Sequence, residues 1–270
     1  MPYKDLHAAP FDEGTQTKLD VFENYLQEWL PVFLKTDWVK TIQIYDFFAG
    51  TGEDQTGCPG SPLRILKIIN QYIDLLIQSR KRVKIILNEY DPDKFDKVKT
   101  CVNDKEIVKD NNENLFVEFY NKDFQVIFYE KLSKISETPS LLFIDQNGIK
   151  QVTNKIFAEL LNLKQTDFLF FISSYYFKRF SNEPGFIQHF PDLSREKVKA
   201  AKPSEIHEIV LDYYKNLIPE DNQTRIYPFT LKKNRNVYGL IFGSKHPLGV
   251  EKFLKVAWKK NTSNGAKIAP

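Results

Sequence analysis

The chain has 270 residues, with 38 basic and 35 acidic side chains and a net charge of +3 at pH 7. It is long enough to bury a substantial core, and too nearly neutral for its overall field to mark a nucleic-acid binder, so any such role falls to local basic clusters. Two cysteines, Cys58 and Cys101, are too few for a disulfide framework or a cysteine-rich metal site, and His189, His207 and His246 lack ligand spacing, so no metal is assigned. The opening Met1–His7 has no apolar targeting segment, and the longest apolar runs, Leu141–Ile144 and Phe168–Ile172, are strand-sized. A soluble, cytoplasmic protein with no membrane contact is expected.

In chain order, Leu19, Phe22, Leu26, Trp29, Leu30 and Phe33 fall at helical spacing and predict an amphipathic helix over 17–34, bent or ended by Pro31. Ile42–Phe48 is a β-type run followed by Ala49, Gly50, Thr51 and Gly52. Ser61 and Pro62 signal a helix start, with Ser61 as cap, and Leu63, Leu66, Ile69, Ile73 and Leu76 predict one helix reaching about Ser79. Strands are predicted over 83–88, 115–120 and 140–145, with helices from Pro92 to about Cys101 and through Val126–Leu132, and a turn at Asn111–Asn112. A helix over 152–163 and an apolar strand over 167–173 complete the alternation.

The glycine turn carries the first chemical information. Gly50 and Gly52 let the main chain pass close to a ligand, but Gln55 stands where a dinucleotide fingerprint has its third glycine, and Glu53 and Asp54 would face a pyrophosphate with negative charge. S-adenosylmethionine (SAM), which carries a sulfonium and no phosphate, suits this turn better than NAD. An ordinary strand-to-helix turn is the competing reading.

Five strands alternating with helices predict a parallel, doubly wound α/β sheet. The strands over 224–231 and 236–242, joined by the polar turn Lys232–Arg235, form an antiparallel hairpin and bring the expected strand number to seven. That ending matches a Rossmann-like methyltransferase sheet rather than an NAD sheet. The expected organisation is a single domain over 1–270: an N-terminal helix over 15–36, a core over 40–173 and 203–260, and a helical insertion over 174–202.

In such a sheet, ligands bind beyond the carboxyl ends of the strands. Asp46, Glu89, Asp123 and Asp145 fall at or just after four of those ends. Glu89 is placed to accept the two ribose hydroxyls, Asp123 to accept the adenine amine with Phe124 available to the ring, and Asp46 to orient the glycine turn or balance the ammonium and sulfonium. Phe48, Ala49, Gly50, Gly52, Tyr90 and Asp145 complete the expected cofactor contacts. For any one of the four acids, a helix cap or a solvated strand end is the competing role.

The stretches 18–29, Tyr45–Gly52, Gly60–Leu63, Phe143–Gly148 and Tyr238–Gly249, in that order and spacing, resemble the three-Cys-motif partner protein family (TcmP) from about Phe11 to Trp258. The resemblance implies a class I SAM-dependent methyltransferase fold and a partner protein carrying a three-cysteine motif, which this chain lacks. The family usually reads Asp-Pro-Phe-Gly after the fourth strand, whereas this chain reads Asp145-Gln146-Asn147-Gly148. Asp145 and Asn147 are the candidate catalytic residues, as acceptors of amine hydrogens from a substrate; Gln146 in place of proline predicts a less rigid loop.

Tyr175, Tyr176, Lys178 and Arg179 interleave aromatics with cations after the fifth strand, and are expected to hold a nucleic-acid substrate by stacking and phosphate contact. Packing of an insertion with solvated cations is the alternative. The leading expectation is a SAM-dependent methyltransferase acting on a base in DNA or RNA. A catalytically inactive SAM-binding module, the partner of a three-Cys-motif protein, is the second.

Overall fold

A computed structural model of the chain describes residues 9–104, 113–146, 148–233, 236–260 and 267–268. The expected turn at Asn111–Asn112, the candidate Asn147, and Asn234 and Arg235 of the hairpin turn lie outside the described residues. The backbone groups into two compact units, residues 1–143 and 144–270.

The first unit begins with α1 (Glu13–Leu34), capped by Asp12, whose side chain accepts the Thr15 N–H. Pro31 does not end the helix at that point: it sits within the last turn, and Lys35 N–H still reaches the Pro31 carbonyl. The helix end is closed instead by the buried Lys81 ammonium, which donates to the carbonyls of Phe33, Leu34 and Thr36. Then follow β1 (Thr41–Asp46), α2 (Ser61–Gln71), α3 (Ile73–Ser79), β2 (Arg82–Asn88), α4 (Pro92–Asp104), β3 (Leu115–Tyr120), α5 (Phe124–Glu137) and β4 (Ser140–Ile144).

The single helix expected from Ser61 to Ser79 is two, divided at Tyr72, whose hydroxyl donates to the Gln27 carbonyl on α1. Gly60, not Ser61, is the cap residue of α2. The strands run parallel in the order β3-β2-β1-β4, with Asp46 of β1 opposite Leu87 of β2 and Phe143 of β4. The apolar face of α1 covers this sheet, and Phe22 stacks on Phe143 at 4.2 Å between ring centroids. The buried Arg64 of α2 pairs with Asp20 and Glu23 of α1 at 2.6 and 2.8 Å, joining the two helices on one flank.

The second unit contains α6 (Asn154–Asn162), β5 (Thr166–Ser173), α7 (Ser174–Phe180), α8 (Pro184–His189), α9 (Arg195–Ala200), α10 (Pro203–Asn216), β6 (Arg225–Lys233), β7 (Asn236–Ser244), α11 (Pro247–Lys260) and β8 (Lys267–Ile268). β7 runs antiparallel to both β5 and β6, as the hairpin requires. The two-residue β8, too short to leave a periodic signal, adds an eighth strand beside β6. Phe157, Phe168, Phe170 and Tyr214 form an aromatic core in this unit. The register sets Phe168 opposite Gly243, and a Cβ at Gly243 would fall 2.1 Å from the phenyl ring, so the strand passes there only as glycine. The fold is α/β, mostly parallel and Rossmann-like, with an antiparallel hairpin near its end.

Candidate functional site

The carboxyl ends of β1, β2 and β3 are tied together by one residue absent from the sequence-based list. Asn88, 1% exposed at the end of β2, donates its amide to the carbonyls of Phe47 (3.2 Å) and Lys122 (3.0 Å) and accepts the Lys122 N–H (3.1 Å). Its own carbonyl accepts the Ala49 N–H at 2.9 Å. A buried amide has four hydrogen-bonding positions to satisfy, so it is suited to lacing three strand ends in one arrangement. The only trace in the sequence is a polar residue closing an apolar strand, directly before Glu89.

Glu89 follows Asn88 and turns toward the glycine turn. One carboxylate oxygen accepts the Gly50 N–H at 2.9 Å and the other the Asp91 N–H at 3.0 Å. Burial raises its pKa, and the hydrogen bonds from Asp91 and Gly50 offset this only in part. Each oxygen keeps a lone pair, so the carboxylate can still accept two ligand hydroxyls. Tyr90 beside it is 70% exposed, and Asn121 fixes the backbone there through the carbonyls of Glu89 (2.7 Å) and Tyr90 (2.9 Å).

Gly50 and Gly52 have φ values of 62° and 86°, in the left-handed region that glycine enters freely. No helix begins at this turn. Between Gly52 and α2 the chain closes a small loop in which Gly60 N–H donates to the Gly52 carbonyl at 2.8 Å and Asp54 N–H to the Cys58 carbonyl at 3.0 Å. A Cβ at Gly60 would stand 2.9 Å from the Gly52 oxygen, so the closure needs glycine.

Asp54 does not present charge to a ligand. Its buried carboxylate accepts the N–H groups of Phe11 (2.6 Å), Thr56 (2.8 Å) and Cys58 (3.0 Å) and the Thr56 hydroxyl (2.7 Å). Burial pushes its pKa up, but these hydrogen bonds outweigh it and hold the carboxyl at about 2. The sequence argument that two carboxylates repel a pyrophosphate is therefore corrected for Asp54, which faces its own loop.

Asp46 is wholly buried, and one of its oxygens accepts the Phe48 N–H at 3.2 Å, which sets the direction of the turn. Ala49 is buried and Phe48 partly exposed. Asp123 is exposed and caps α5 through the Gln125 N–H at 2.8 Å. Phe124 is buried against Phe47 and Phe48, with ring centroids 5.2 and 5.4 Å away. The first unit thus brings Asp46, Phe48, Ala49, Gly50, Gly52, Glu89, Tyr90, Asp123 and Phe124 to one edge of its sheet.

In the second unit Asp145 is partly exposed, and Gln146 contradicts the expectation of a looser loop. Gln146 is 1% exposed; its amide donates to the Phe171 carbonyl on β5 at 2.9 Å, and its oxygen accepts the N–H groups of Gln151 (2.9 Å) and Val152 (3.4 Å). The segment is braced through a side chain, where a proline would have stiffened the backbone. On α7, Lys178 donates to the Ala201 carbonyl at 2.9 Å, Arg179 lies 5.3 Å from the Phe180 ring, and Tyr176 stacks on Phe180 at 5.7 Å. The side chain of Tyr175 is outside the described part of the structure.

The sheet and its flanking helices are those of a Rossmann-like α/β fold. No protein-family model matches the chain, and no curated protein matches it. Among solved structures it is similar to Trm1 from Pyrococcus horikoshii in complex with S-adenosyl-L-methionine, with TM-score 0.49 and 9% identity over 94% of this chain and 61% of that one. It is also similar to the N-terminal domain of human METTL16 in complex with SAH (TM-score 0.38, 11% identity, 84% of this chain and 70% of that one). TYW2 from M. jannaschii in complex with AdoMet is a third (TM-score 0.35, 8% identity, 86% and 75%). The chain spans less than two thirds of the length of Trm1. No residue assignment rests on these similarities.

Among the described residues, no helix is long and apolar enough to cross a membrane.

Proposed function

We propose that the protein is a SAM-dependent methyltransferase acting on a base in nucleic acid. One observation carries the cofactor assignment. The glycine turn after β1 gives its Gly50 N–H to the Glu89 carboxylate, and the next helix starts only at Ser61. A dinucleotide site needs the glycine turn to open a helix whose N-terminal amides receive the pyrophosphate. Here the turn amide is already taken by an anion, and that anion suits hydroxyls. A nucleoside with free ribose hydroxyls and no phosphate fits, and SAM is such a ligand.

The hydrogen bond from Gly50 N–H to Glu89 supports a reading in which the turn receives SAM as it stands. Glu89 accepts the ribose hydroxyls, Tyr90 offers an exposed ring to the adenine, Asp123 accepts the adenine amine, and Asp46 orients the turn through the Phe48 N–H so that the Gly50–Gly52 backbone meets the amino-acid end. When bound, SAM supplies an electrophilic methyl on its sulfonium, and the acceptor's lone pair displaces S-adenosylhomocysteine. The chain's task is to hold that lone pair free and aligned. Asp145 and Asn147 are the proposed acceptors of the substrate amine hydrogens. Tyr175, Tyr176, Lys178 and Arg179 are the proposed strand contacts; since Lys178 already serves the Ala201 carbonyl, Arg179 is the main cation of that group.

Membership of the three-Cys-motif partner family, with a three-cysteine protein as partner, belongs to the same proposal and rests on the motif order given above. The test is incubation with radiolabelled SAM and separate pools of DNA, tRNA, rRNA and protein. Label in a nucleic-acid pool is expected. Calorimetry showing NAD binding without SAM binding would overturn the cofactor assignment, and label in protein alone would overturn the acceptor.

A further inference from the structure

The second unit contains a cavity of about 320 Å³ remote in sequence from the glycine turn. Phe180, Phe186 and Phe190 line it, together with the polar side chains of Lys150, Glu183 and His189. The aromatic walls are held from behind: Phe186 and Phe190 are 3% and 1% exposed, and Phe177 packs on both at 5.8 and 4.9 Å. Phe180 is set by its stack on Tyr176. Lys150 follows the Asp145–Gly148 stretch by two residues, and the buried Gln146 fixes the chain on its far side at Gln151 and Val152.

The three polar side chains are left over by the fold. Glu183 is the N-cap residue of α8 but its side chain makes no cap hydrogen bond, Lys150 and Glu183 are exposed, and no hydrogen bond or ion pair of the Lys150, Glu183 or His189 side chains is found among the described residues. The His189 pKa is lowered, first by burial and then by the charge of Lys150. The cavity therefore offers aromatic walls, one carboxylate acceptor, one ammonium donor and one imidazole. A simple anion would meet Glu183. A purely aliphatic ligand would use the aromatic wall and none of the three polar groups.

We propose that this cavity receives a single unstacked nucleobase carrying an exocyclic amine, as a recognition site for the nucleic-acid substrate of the methyltransferase proposed above, on which reading its role depends. A flat ring packs on the partly exposed Phe180, its amine donates to Glu183, and its ring nitrogen or carbonyl accepts from Lys150. Apolar walls with a few convergent polar groups are the usual composition of a site for a small ring, and bases taken out of a stack are held in this manner.

The test is saturation-transfer NMR on the full chain with adenosine, cytidine, guanosine and uridine as probes, each alone and with SAM. At least one amine-bearing nucleoside is expected to bind at least tenfold more tightly than uridine, which lacks the amine. Phe180→Ala should weaken that nucleoside by about 5- to 150-fold, the range for loss of one base-aromatic stack. Glu183→Gln should bring uridine and the amine-bearing nucleoside to within about twofold and keep the wild-type melting temperature, while both variants keep the wild-type SAM affinity. Binding of no nucleoside at millimolar concentration, or a Phe180→Ala variant that binds as wild type does, overturns the cavity assignment even where SAM binds. Nucleoside binding with the expected variant effects but without SAM binding supports the cavity and removes the methyltransferase reading.

Discussion

The Glu89 carboxylate and the Gly50 amide meet at 2.9 Å, joining the end of the second strand to the glycine turn that follows the first. The contact shapes the turn before any ligand arrives and leaves lone pairs for two more donors. Glu89→Gln is expected to weaken SAM binding by about 1.5–3 kcal/mol, the range for hydrogen bonds to a charged group, with a melting temperature close to wild type. Calorimetry and a thermal melt on the same sample check both. Equal affinity in the two proteins would place the ribose elsewhere.

The same residue gives two opposite pH slopes. Its folded pKa lies above the unfolded value because burial disfavours the charged form. Its contribution to stability is therefore full below the unfolded pKa and is lost as pH rises through the folded one. SAM binding needs the ionised form, so affinity is full above the folded pKa and falls as pH drops through it. Wild-type SAM affinity should begin to fall at a pH above the ordinary glutamate range, and the fall should disappear in Glu89→Gln. A titration by fluorescence or calorimetry from neutral to mildly acid pH tests this.

Asp54 makes the opposite prediction. Its carboxyl is held at about 2 against an ordinary 3.8, so its contribution is present above the unfolded pKa and is lost as pH falls through the folded value. Asp54→Ala strands three backbone N–H groups, those of Phe11, Thr56 and Cys58, and should cost about 2–3 kcal/mol at pH 7. In urea unfolding the gap from wild type should narrow as pH drops below 4. A gap constant with pH would mean that the ionised carboxylate contributes nothing special.

Two glycines in the loop separate strain from collision. Gly57, at φ 82° with only the Glu53 side chain within 4 Å of a Cβ, should lose about 1–2 kcal/mol as Gly57→Ala, the cost of a left-handed L-residue. Gly60→Ala meets the Gly52 backbone oxygen at 2.9 Å and should open the loop, lowering SAM affinity as well as the melt. If both variants bind SAM as wild type does, the loop has no part in the site.

Gln146 is the fourth case. Gln146→Ala leaves the Gln151 N–H and the Phe171 carbonyl without this partner in a buried setting and should cost about 2–3 kcal/mol. Gln146→Pro should be no more stable than Gln146→Ala, because proline supplies none of these bonds. A thermally stabilised proline variant would show that backbone stiffness, not the side-chain brace, sets this segment.

Much of the architecture was legible from side-chain periodicity alone. The strand 115–120 matches its prediction, 83–88 and 167–173 differ by one residue at the start and 140–145 by one at the end, because runs such as Leu141–Ile144 are apolar on both faces only where a strand is covered on both sides. The acids at strand ends could be located in the same way, since Asp46 and Glu89 lie where an apolar run stops. Which way those acids point was not legible. Glu89 turns to Gly50, 39 residues away, and Asp54 turns inward to Phe11, 43 residues away, so their roles diverge although both sit beside the same turn. Asn88 reads as an unremarkable polar residue, and Gln146 as one that loosens its loop, until the carbonyls and amides of other segments surround them. The aromatic cavity of Phe180, Phe186 and Phe190 likewise needs two short helices folded against the chain at Lys150. Periodicity reports how deeply a residue is buried; the partner of a buried polar group is set by which distant backbone comes within hydrogen-bond reach, and only the tertiary structure decides that.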